Sequence, residues 1–282
     1  FSAELAFFGG SFTAIDRQYM ISLLQAVQPY LGEDKIQGIR ISTRPDAIDD
    51  EVLTLLKAYG VTAIELGAQS MCERVLQLNR RGHTAEDVAS ASKLIKQYGF
   101  QLGLQMMVGL YGDTAEECLH TAHRLAELCP ATIRIYPTVV IEETELGQLY
   151  RKGKYLPMSL DDGVELCAKL LWFFTQREIK VIRLGLHYSE SLAKNTIAGI
   201  YHPAFRELCE GKIYFDLLAE KLSDNDGNEF VVFVAPSAVS KMTGQQRCNV
   251  KAFAQRGINI KVQADNKLKL FEIRIQQVKH KP

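Results

Sequence analysis

Short apolar runs of strand length alternate with amphipathic segments of helix length along the first two thirds of the chain. This alternation is typical of repeated strand–helix units, whose strands form a parallel sheet. Strands are predicted at 5–8, 38–45, 61–67, 100–110, 131–141 and 180–187. Helical spacing of apolar residues predicts helices at 15–31, 49–59, 72–79, 84–98, 114–128 and 160–176. The fold class is therefore α/β, either a barrel or an open doubly wound sheet.

Polar residues and glycines collect where the predicted strands end. They are Gly9-Gly10-Ser11, Ser42-Thr43-Arg44, Glu65 with Gln69-Ser70, Gln105 with Gly109, and Tyr136 with Thr138. Parallel strands that are buried on both faces prefer Val, Ile and Leu throughout. In both candidate architectures the ligand lies at the carboxyl ends of the strands, so this polar ring predicts a ligand site. Taken alone, Gly9-Gly10 after a buried first strand is better explained as a plain turn.

The last third of the chain has a different organisation. A helix is predicted at 204–222 and a turn at 224–227. Strands at 229–235, 258–262 and 267–275 then surround helices at 237–242 and 246–255. We therefore expect a barrel core with its extension at 1–190, a helical connector at 191–228 and a small α+β module at 229–282.

The positive charge is concentrated in that module, although the chain as a whole is neutral. Residues 231–282 contain ten lysines and arginines against two acidic residues, which suggests a polyanion partner, with a solvated basic surface as an equally supported alternative. Gly244-Gln245-Gln246-Arg247, with Asn249 and Lys251, opens a predicted helix whose start can take a phosphate. These features support RNA binding, although no aromatic ladder for stacking bases is evident.

Composition excludes some classes of protein. The chain has 282 residues, of which 47% are hydrophobic and 23% charged, and no apolar run reaches the roughly 18 residues of a membrane-spanning helix. The six cysteines are scattered without metal-binding spacing, which is typical of buried thiols in a reducing cytoplasm. His120 and His123 lie three apart on a predicted helix, but no third ligand is evident, so no metal site is predicted.

Five motifs at these strand ends, in order and at matching spacing, resemble blocks of the radical S-adenosylmethionine (SAM) enzymes. Gly9-Gly10-Ser11 resembles the glycine-rich motif after their second barrel strand. Residues 65–70 with 81–84, and residues 109–114, resemble the GxQS…RxHT and GLPGQT blocks of coproporphyrinogen-oxidase-like members and of the Elongator catalytic subunit. Residues 42–46 and 134–137 favour the Elongator-type branch. The resemblance covers about residues 4–190 and implies a partial TIM-like barrel of the (βα)6 type.

The resemblance also implies a set of cofactor-binding residues. Main-chain atoms of Gly9, Gly10 and Ser11 would meet the methionyl amino group, and Arg81 would pair with the methionyl carboxylate, as suits a planar guanidinium. Ser42 and Gln69 would face the ribose and methionyl end. The remaining members are Arg44, Gln105, Met107 and Val139, of which the last three would line the adenosine pocket. From the residues alone, Arg81 is better explained as a surface cation at a helix end. Tyr136 is the candidate catalytic residue, with filling of the barrel mouth as the alternative.

The sequence departs from the family pattern in three places. The CxxxCxxC motif, whose three thiolates would hold a [4Fe–4S] cluster, is absent. Because Phe1 already begins a strand, we expect the motif and the first barrel strand in a missing upstream segment. Tyr111 replaces the proline of the GLPG block, and residues after His187 do not resemble an acetyltransferase domain. The printed chain alone is therefore expected not to cleave SAM.

Three functional hypotheses follow. The first is a radical SAM enzyme core of the cytoplasm, in which an external electron donor drives formation of a 5′-deoxyadenosyl radical. That radical would take hydrogen from a substrate that the sequence does not identify, with tRNA as the partner that the Elongator resemblance implies. The second is a non-catalytic relative, without a cluster, that binds RNA or a protein partner. The third is an unrelated barrel enzyme that binds a phosphate at Gly9-Gly10.

Overall fold

The computed structural model describes residues 3–32, 35–223 and 225–278. The strands are β1 (Ala3–Phe7), β2 (Ile36–Thr43), β3 (Val61–Gln69), β4 (Gln101–Val108), β5 (Thr132–Pro137), β6 (Val139–Ile141), β7 (Lys180–Leu184), β8 (Thr196–Gly199), β9 (Glu229–Val234), β10 (Asn259–Ala264) and β11 (Ile273–Gln277). The helices are α1 (Arg17–Val27), α2 (Asp50–Ala58), α3 (Glu73–Leu78), α4 (Ala85–Gln97), α5 (Ala115–Glu127), α6 (Glu145–Arg151), α7 (Leu160–Thr175), α8 (Glu190–Asn195), α9 (Phe205–Leu222), α10 (Val239–Thr243) and α11 (Cys248–Gln255).

A six-stranded parallel sheet forms the first part of the chain, in the order β1-β2-β3-β4-β5-β7. Strands that follow one another in the sequence are neighbours in the sheet, as short right-handed strand–helix units require. The sheet curls into a half-barrel whose described edges are β1 and β7. The predicted α/β class and the partial barrel are therefore confirmed.

The two faces of this sheet carry different residues. Helices α2, α4 and α5 pack on β3 and β4 and cover one face, where Ile64, Leu66 and Leu104 are at most 1% exposed. Alternation along each strand points the intervening residues to the concave face. The concave residues include Ser42, Glu65, Gly67, Gln105 and Arg134, which the strand register brings side by side.

Side chains cap the starts of several helices on this sheet. Thr84 and Asp87 form a reciprocal capping box at the start of α4, and Asp49 and Thr114 cap α2 and α5. Each cap satisfies backbone N–H groups that would otherwise lack a partner at the first turn. The caps fix where each helix leaves the carboxyl end of its strand, which is the end that carries the polar ring.

Several expectations are wrong in detail. No residue of β1 is buried, because β1 lies at a sheet edge. The strand expected at 131–141 is broken at Thr138, whose main-chain N–H and hydroxyl group both donate to the carbonyl of Val108. The segment after the break, β6, pairs with β8 in a separate antiparallel ribbon. Asp224, in the predicted turn, lies outside the described residues.

The chain divides into two compact units. The first comprises Phe1–Met158 and Phe173–Tyr201, and the second comprises Ser159–Trp172 and His202–Pro282. This division differs from the expected boundaries at 190 and 228, because α9 clusters with the C-terminal strands instead of forming a connector. The buried hydroxyl of Tyr214 on α9 accepts a hydrogen bond from the backbone of Phe271 at 2.7 Å.

The second unit contains a three-stranded sheet in the order β10-β9-β11. Strands β9 and β10 are parallel, and β11 is antiparallel to β9. Phe230, Val232 and Val234 of β9 face a core that includes Phe253. The strand expected at 267–275 is shorter than predicted, because residues 265–272 form a turn before β11.

Candidate functional site

A cavity of about 510 Å³ opens at the carboxyl end of the six-stranded sheet, on its concave face. Nine of the eleven predicted site residues line it, although they come from separate parts of the sequence. They are Gly9, Gly10, Ser11, Ser42, Arg44, Gln69, Arg81, Gln105 and Tyr136. Thr43 of the polar ring also lines the cavity, whereas its other members Glu65, Ser70, Gly109 and Thr138 do not. The parallel topology thus brings most of the predicted site residues together at one edge of the sheet.

The double glycine forms an open wall of the cavity. Gly9 has φ +106°, a backbone conformation that favours glycine, and a Cβ at either glycine would meet no atom within 4 Å. The loop that follows is tied to β2, because the Thr13 and Thr43 hydroxyls lie 2.6 Å apart. Bare main chain therefore faces the cavity on a fixed support, which allows close approach of a small ligand.

Amide side chains form the next part of the wall. Gln105 on β4 donates from Nε2 to Oε1 of Gln69 at 3.1 Å. Gln69 ends β3 in the left-handed region, with φ 63°, and its side chain folds back over Gly67. A Cβ at Gly67 would lie 2.6 Å from Nε2 of Gln69, so glycine is needed there for this arrangement.

Arg81 brings a cation to the cavity without an acidic partner. It makes no ion pair with any residue in the described ranges, and its Nε is buried without a hydrogen-bond partner. Its nearest polar contact is the sulfur of Met107, 3.2 Å from Nη2. Burial lowers the pKa of this guanidinium. The interpretation of Arg81 as a surface cation at a helix end is therefore wrong.

Three predicted residues are placed differently from Arg81. Arg44 lines the cavity, but its guanidinium is held by Asp46, at 2.5 Å from Nε, and by the Gly82 carbonyl. Met107 lies behind Arg81 and is not part of the cavity lining. Val139 is also outside the lining, because the break at Thr138 places it on β6 opposite Gly199.

A buried ion pair on the concave face was missed at the sequence level. Glu65 is 3% exposed and accepts two hydrogen bonds from Arg134, at 2.6 and 3.2 Å. Arg40 approaches the same carboxylate at 3.5 Å and pairs with Glu4 at 2.8 Å. Burial opposes the charge of Arg134, but Glu65 outweighs it and raises the pKa of the guanidinium. The one sequence signal for this network is that charged residues stand within otherwise apolar strands: Arg40 on β2, Glu65 on β3 and Arg134 on β5.

Tyr136 lies at the cavity end of that network. Its hydroxyl accepts a hydrogen bond from Nη1 of Arg134 at 3.4 Å, and Arg134 also lies 4.7 Å from the centre of the Phe8 ring. His187 joins the lining from the segment after β7. Burial and the charges of Arg183 and Arg134 lower its pKa, which favours the neutral imidazole at pH 7. This side of the cavity can donate and accept hydrogen bonds around a second ligand.

The two groups that the resemblance implies, SAM and a [4Fe–4S] cluster, fit the residues of this chain to different degrees. The open glycine wall, the amides and the unpaired Arg81 suit the carboxylate, amino and sugar groups of SAM. In contrast, no group of three His, Cys, Asp or Glu side chains that could hold a metal ion occurs in the described ranges. With CxxxCxxC absent from the sequence, this chain's described residues do not fit a [4Fe–4S] cluster.

At the predicted phosphate site in the second unit, the side chain of Asn249 has a structural role. The side-chain amide of Asn249 is buried and donates to the carbonyls of Gly211, Lys241 and Met242. It therefore holds α9 and α10 to α11 instead of facing solvent.

Among the residues that the structure describes, none of the helices combines the length and the apolar composition that a membrane span requires.

Comparison with known proteins agrees with this geometry. A curated relative is the tRNA uridine(34) acetyltransferase of Methanocaldococcus jannaschii, 28% identical over 185 residues, which cover 58% of this chain and 34% of that protein. The solved structure of archaeal Methanocaldococcus infernus Elp3 with N-terminus deletion (1-46) covers 77% of this chain and 54% of its own, with TM-score 0.61 and 23% identity. Coproporphyrinogen III oxidase (HemN) from Escherichia coli covers 62% of this chain and 40% of its own, with TM-score 0.52 and 20% identity.

Elongator complex protein 3 of Homo sapiens is 36% identical over 140 residues, which cover 49% of this chain and 26% of that protein. The resemblance to Elongator-type proteins is therefore confirmed, and the fold is shared with coproporphyrinogen III oxidase. The family model of the Radical SAM superfamily matches residues 2–125. The model of the Radical_SAM C-terminal domain matches residues 130–214. Together the two matches contain the six-stranded sheet, the double glycine and Arg81. The chain therefore belongs to the radical SAM superfamily.

Proposed function

We propose that this chain is the SAM-binding core of a radical SAM enzyme that acts on RNA. The observation that carries the proposal is the half-buried, unpaired guanidinium of Arg81, which shares one cavity with the bare main chain of Gly9 and Gly10. A buried cation without a partner is costly in the free protein. A ligand carboxylate at Arg81 removes that cost, so the cavity favours an anionic ligand at this position.

The cavity residues then have distinct roles. Arg81 binds the methionyl carboxylate, and main-chain groups at Gly9 and Gly10 approach the amino group. Ser42 and Gln69 face the ribose and methionyl end, and the Gln69–Gln105 hydrogen bond fixes both amides. When bound, SAM would supply a 5′-deoxyadenosyl radical for hydrogen abstraction, since one-electron reduction would break its sulfur–C5′ bond and release methionine. Tyr136, with Arg134 behind it, and His187 orient the substrate on the opposite side.

The reducing electron requires a cluster and an external donor that the described residues do not provide. We therefore expect the printed chain alone to release no 5′-deoxyadenosine when it is incubated with SAM and dithionite. RNA enters the proposal through the relatives, one of which is named for uridine 34 of tRNA. The chain spans only 34% of that relative's length, so action on tRNA is a proposal for this chain.

Equilibrium dialysis with labelled SAM tests the proposal directly. We expect the wild-type chain to bind SAM and Arg81→Gln to bind it about 10- to 100-fold more weakly, since a hydrogen bond to a charged group contributes about 1.5–3 kcal/mol. 5′-Methylthioadenosine lacks the aminocarboxylate, so its affinity should be equal in both proteins. Failure of the wild type to bind SAM would overturn the proposal. If inorganic phosphate bound instead, the unrelated phosphate-binding barrel would be favoured.

A non-catalytic relative is the second candidate, and the absence of cluster ligands from the described residues favours it. It predicts that the cavity has lost its selectivity for SAM, because binding of the cofactor is no longer needed. A SAM affinity that depends on Arg81, in the same dialysis experiment, argues against this candidate. An affinity for SAM that is equal to that for 5′-methylthioadenosine supports it.

A further inference from the structure

The three-stranded sheet of the second unit has one face that its own helices leave uncovered. Alternation along β9 sends Phe230, Val232 and Val234 into the core, where each is at most 2% exposed. Val231 and Phe233 point to the other face and are half-buried there. This open face of the sheet lies within residues 229–278, beyond both family matches.

Strand register defines the residues of the open face. Gln263 of β10 and Arg274 of β11 flank Phe233, and Lys261 and Gln276 flank Val231. Lys261, Arg274 and Gln276 are exposed. Asn259 and Glu229 form the last row, so that one acidic residue stands at the far end of the central strand from Phe233. The face therefore presents an aromatic ring on its central strand, with amides and cations beside it.

The guanidinium group of Arg274 lies over the ring of Phe233. The guanidinium carbon of Arg274 lies 3.8 Å from the centre of the Phe233 ring, and Nη2 of Arg274 is 2.9 Å from a carboxylate oxygen of Asp265. The ion pair with Asp265 orients the guanidinium over the ring. Aromatic rings and guanidinium planes are the surfaces on which proteins stack unpaired RNA bases.

The charge around the ring also favours a polyanion. Lys261, Lys267 and Lys269 are exposed, and none of them makes an ion pair with a carboxylate in the described ranges. Lys267 and Lys269 lie in the turn that leads from β10 to β11. Centres of protein–protein interfaces are depleted in lysine, whereas phosphate backbones attract it.

We propose that the open face of the β10-β9-β11 sheet binds single-stranded RNA. A base stacks at Phe233 and Arg274, the amides of Gln263 and Gln276 hydrogen-bond to base edges, and Lys261 and the turn lysines contact phosphates. This inference deepens the proposed action on RNA by naming a surface for it. The surface differs from the one expected from the sequence, because Gly244–Arg247 precede α11 and Asn249 and Lys251 lie on α11, whereas the open face is formed by the three strands.

Fluorescence anisotropy with a labelled single-stranded 12-nucleotide RNA tests the inference on the full chain. We expect Phe233→Leu, which keeps an apolar side chain but removes the ring, to weaken binding about 5- to 100-fold. Lys261→Gln should lower the slope of log K against log salt concentration by about 0.7, the value for one phosphate contact of a single strand. The matched control is Lys251→Gln, which removes the same charge from α11 and should change neither quantity.

The outcomes separate RNA from other partners and from the SAM proposal. A duplex RNA of the same length should bind more weakly, and binding of heparin, which has no bases, should be unchanged in Phe233→Leu. No RNA binding at 50 mM salt, or equal losses in Lys261→Gln and Lys251→Gln, would overturn the inference. Because Phe233→Leu could disturb folding, its thermal melting and its SAM affinity are measured alongside. Unchanged SAM affinity together with lost RNA binding assigns the loss to this face, and the RNA result stands even if SAM does not bind.

Discussion

The two faces of the six-stranded sheet have different roles. Residues on one face stabilise the fold, whereas their immediate neighbours along the same strands, on the other face, form the binding site. Leu104 and Gln105 are adjacent on β4, yet Leu104 is 1% exposed beneath the helices whereas Gln105 lines the cavity. The helix-covered face is apolar throughout its centre, and the concave face is polar from β2 to β5. A parallel sheet that is buried only for stability has apolar residues on both faces. The difference therefore marks the concave face as a site.

The concave face also contributes to stability, because Glu65 and Arg134 form a buried ion pair there. Arg134 also lines the cavity, and its pair with Glu65 holds β3 to β5 across β4. Gly103 on β4 leaves the space for it, since a Cβ at that position would lie 2.8 Å from Cγ of Glu65. The comparison thus predicts three classes of substitution: loss of the pair, loss of apolar core, and loss of the space between strands.

The largest expected effect is on the buried pair. Glu65→Ala leaves the guanidinium groups of Arg134 and Arg40 without their shared carboxylate, so we expect the free energy of unfolding to fall by about 3–5 kcal/mol. Urea unfolding followed by circular dichroism measures it. Glu4→Ala is the matched control, because Glu4 pairs with the same Arg40 at 39% side-chain exposure and should cost less than about 1 kcal/mol. Equal losses in the two variants would contradict the assignment of Glu65 as a structural anchor.

Leu104→Ala and Gln105→Ala compare the two faces directly. Leu104→Ala should lower the free energy of unfolding by about 2–5 kcal/mol, because it opens a cavity in the covered face, and should leave the SAM affinity of the folded protein unchanged. Gln105→Ala should cost less than about 1 kcal/mol and weaken SAM binding. The division between the faces fails if Leu104→Ala reduces SAM affinity more than Gln105→Ala does.

Gly103→Ala is expected to lower stability less than loss of the buried pair or of the Leu104 side chain does. The added methyl group would lie 2.8 Å from Cγ of Glu65 and 2.9 Å from Oγ1 of Thr132, so that β3 or β5 must shift. Such overpacking costs about 1–3 kcal/mol, measured by the same urea titration. Gly10→Ala is the control, since a Cβ there meets nothing within 4 Å and stability should change by less than about 0.5 kcal/mol. Unchanged stability of Gly103→Ala would show that the sheet accommodates the added methyl group, and would contradict the requirement for glycine between Glu65 and Thr132.

Much of the fold follows from local sequence signals. The strand–helix alternation predicted the α/β class and the parallel pairing of the strands, and the helical spacing of apolar residues predicted most of the helices of the first unit. Glu65–Arg134 was missed because the pair is brought together by strand register across β4, which no local signal specifies. The break at Thr138 was missed for a similar reason: its partner, the carbonyl of Val108, lies on another strand. The consequence was the misplacement of Val139.

The open face in the second unit shows the same limit of local signals. Residues 267–275 have the composition of a strand, but 265–272 form a turn, and β11 begins only at Ile273. That shift decides the register of β11 against β9, and therefore which residue stands beside Phe233. Basic charge in this region was evident from the sequence. Its arrangement around an aromatic ring required the antiparallel pairing.

A crystal structure of this chain with SAM bound tests the central claim most directly. The account predicts SAM in the concave cavity, with its carboxylate within about 3 Å of the Arg81 guanidinium and its amino group beside the main chain of Gly9 and Gly10. SAM bound elsewhere, or bound in this cavity with Arg81 still unpaired, would contradict the account.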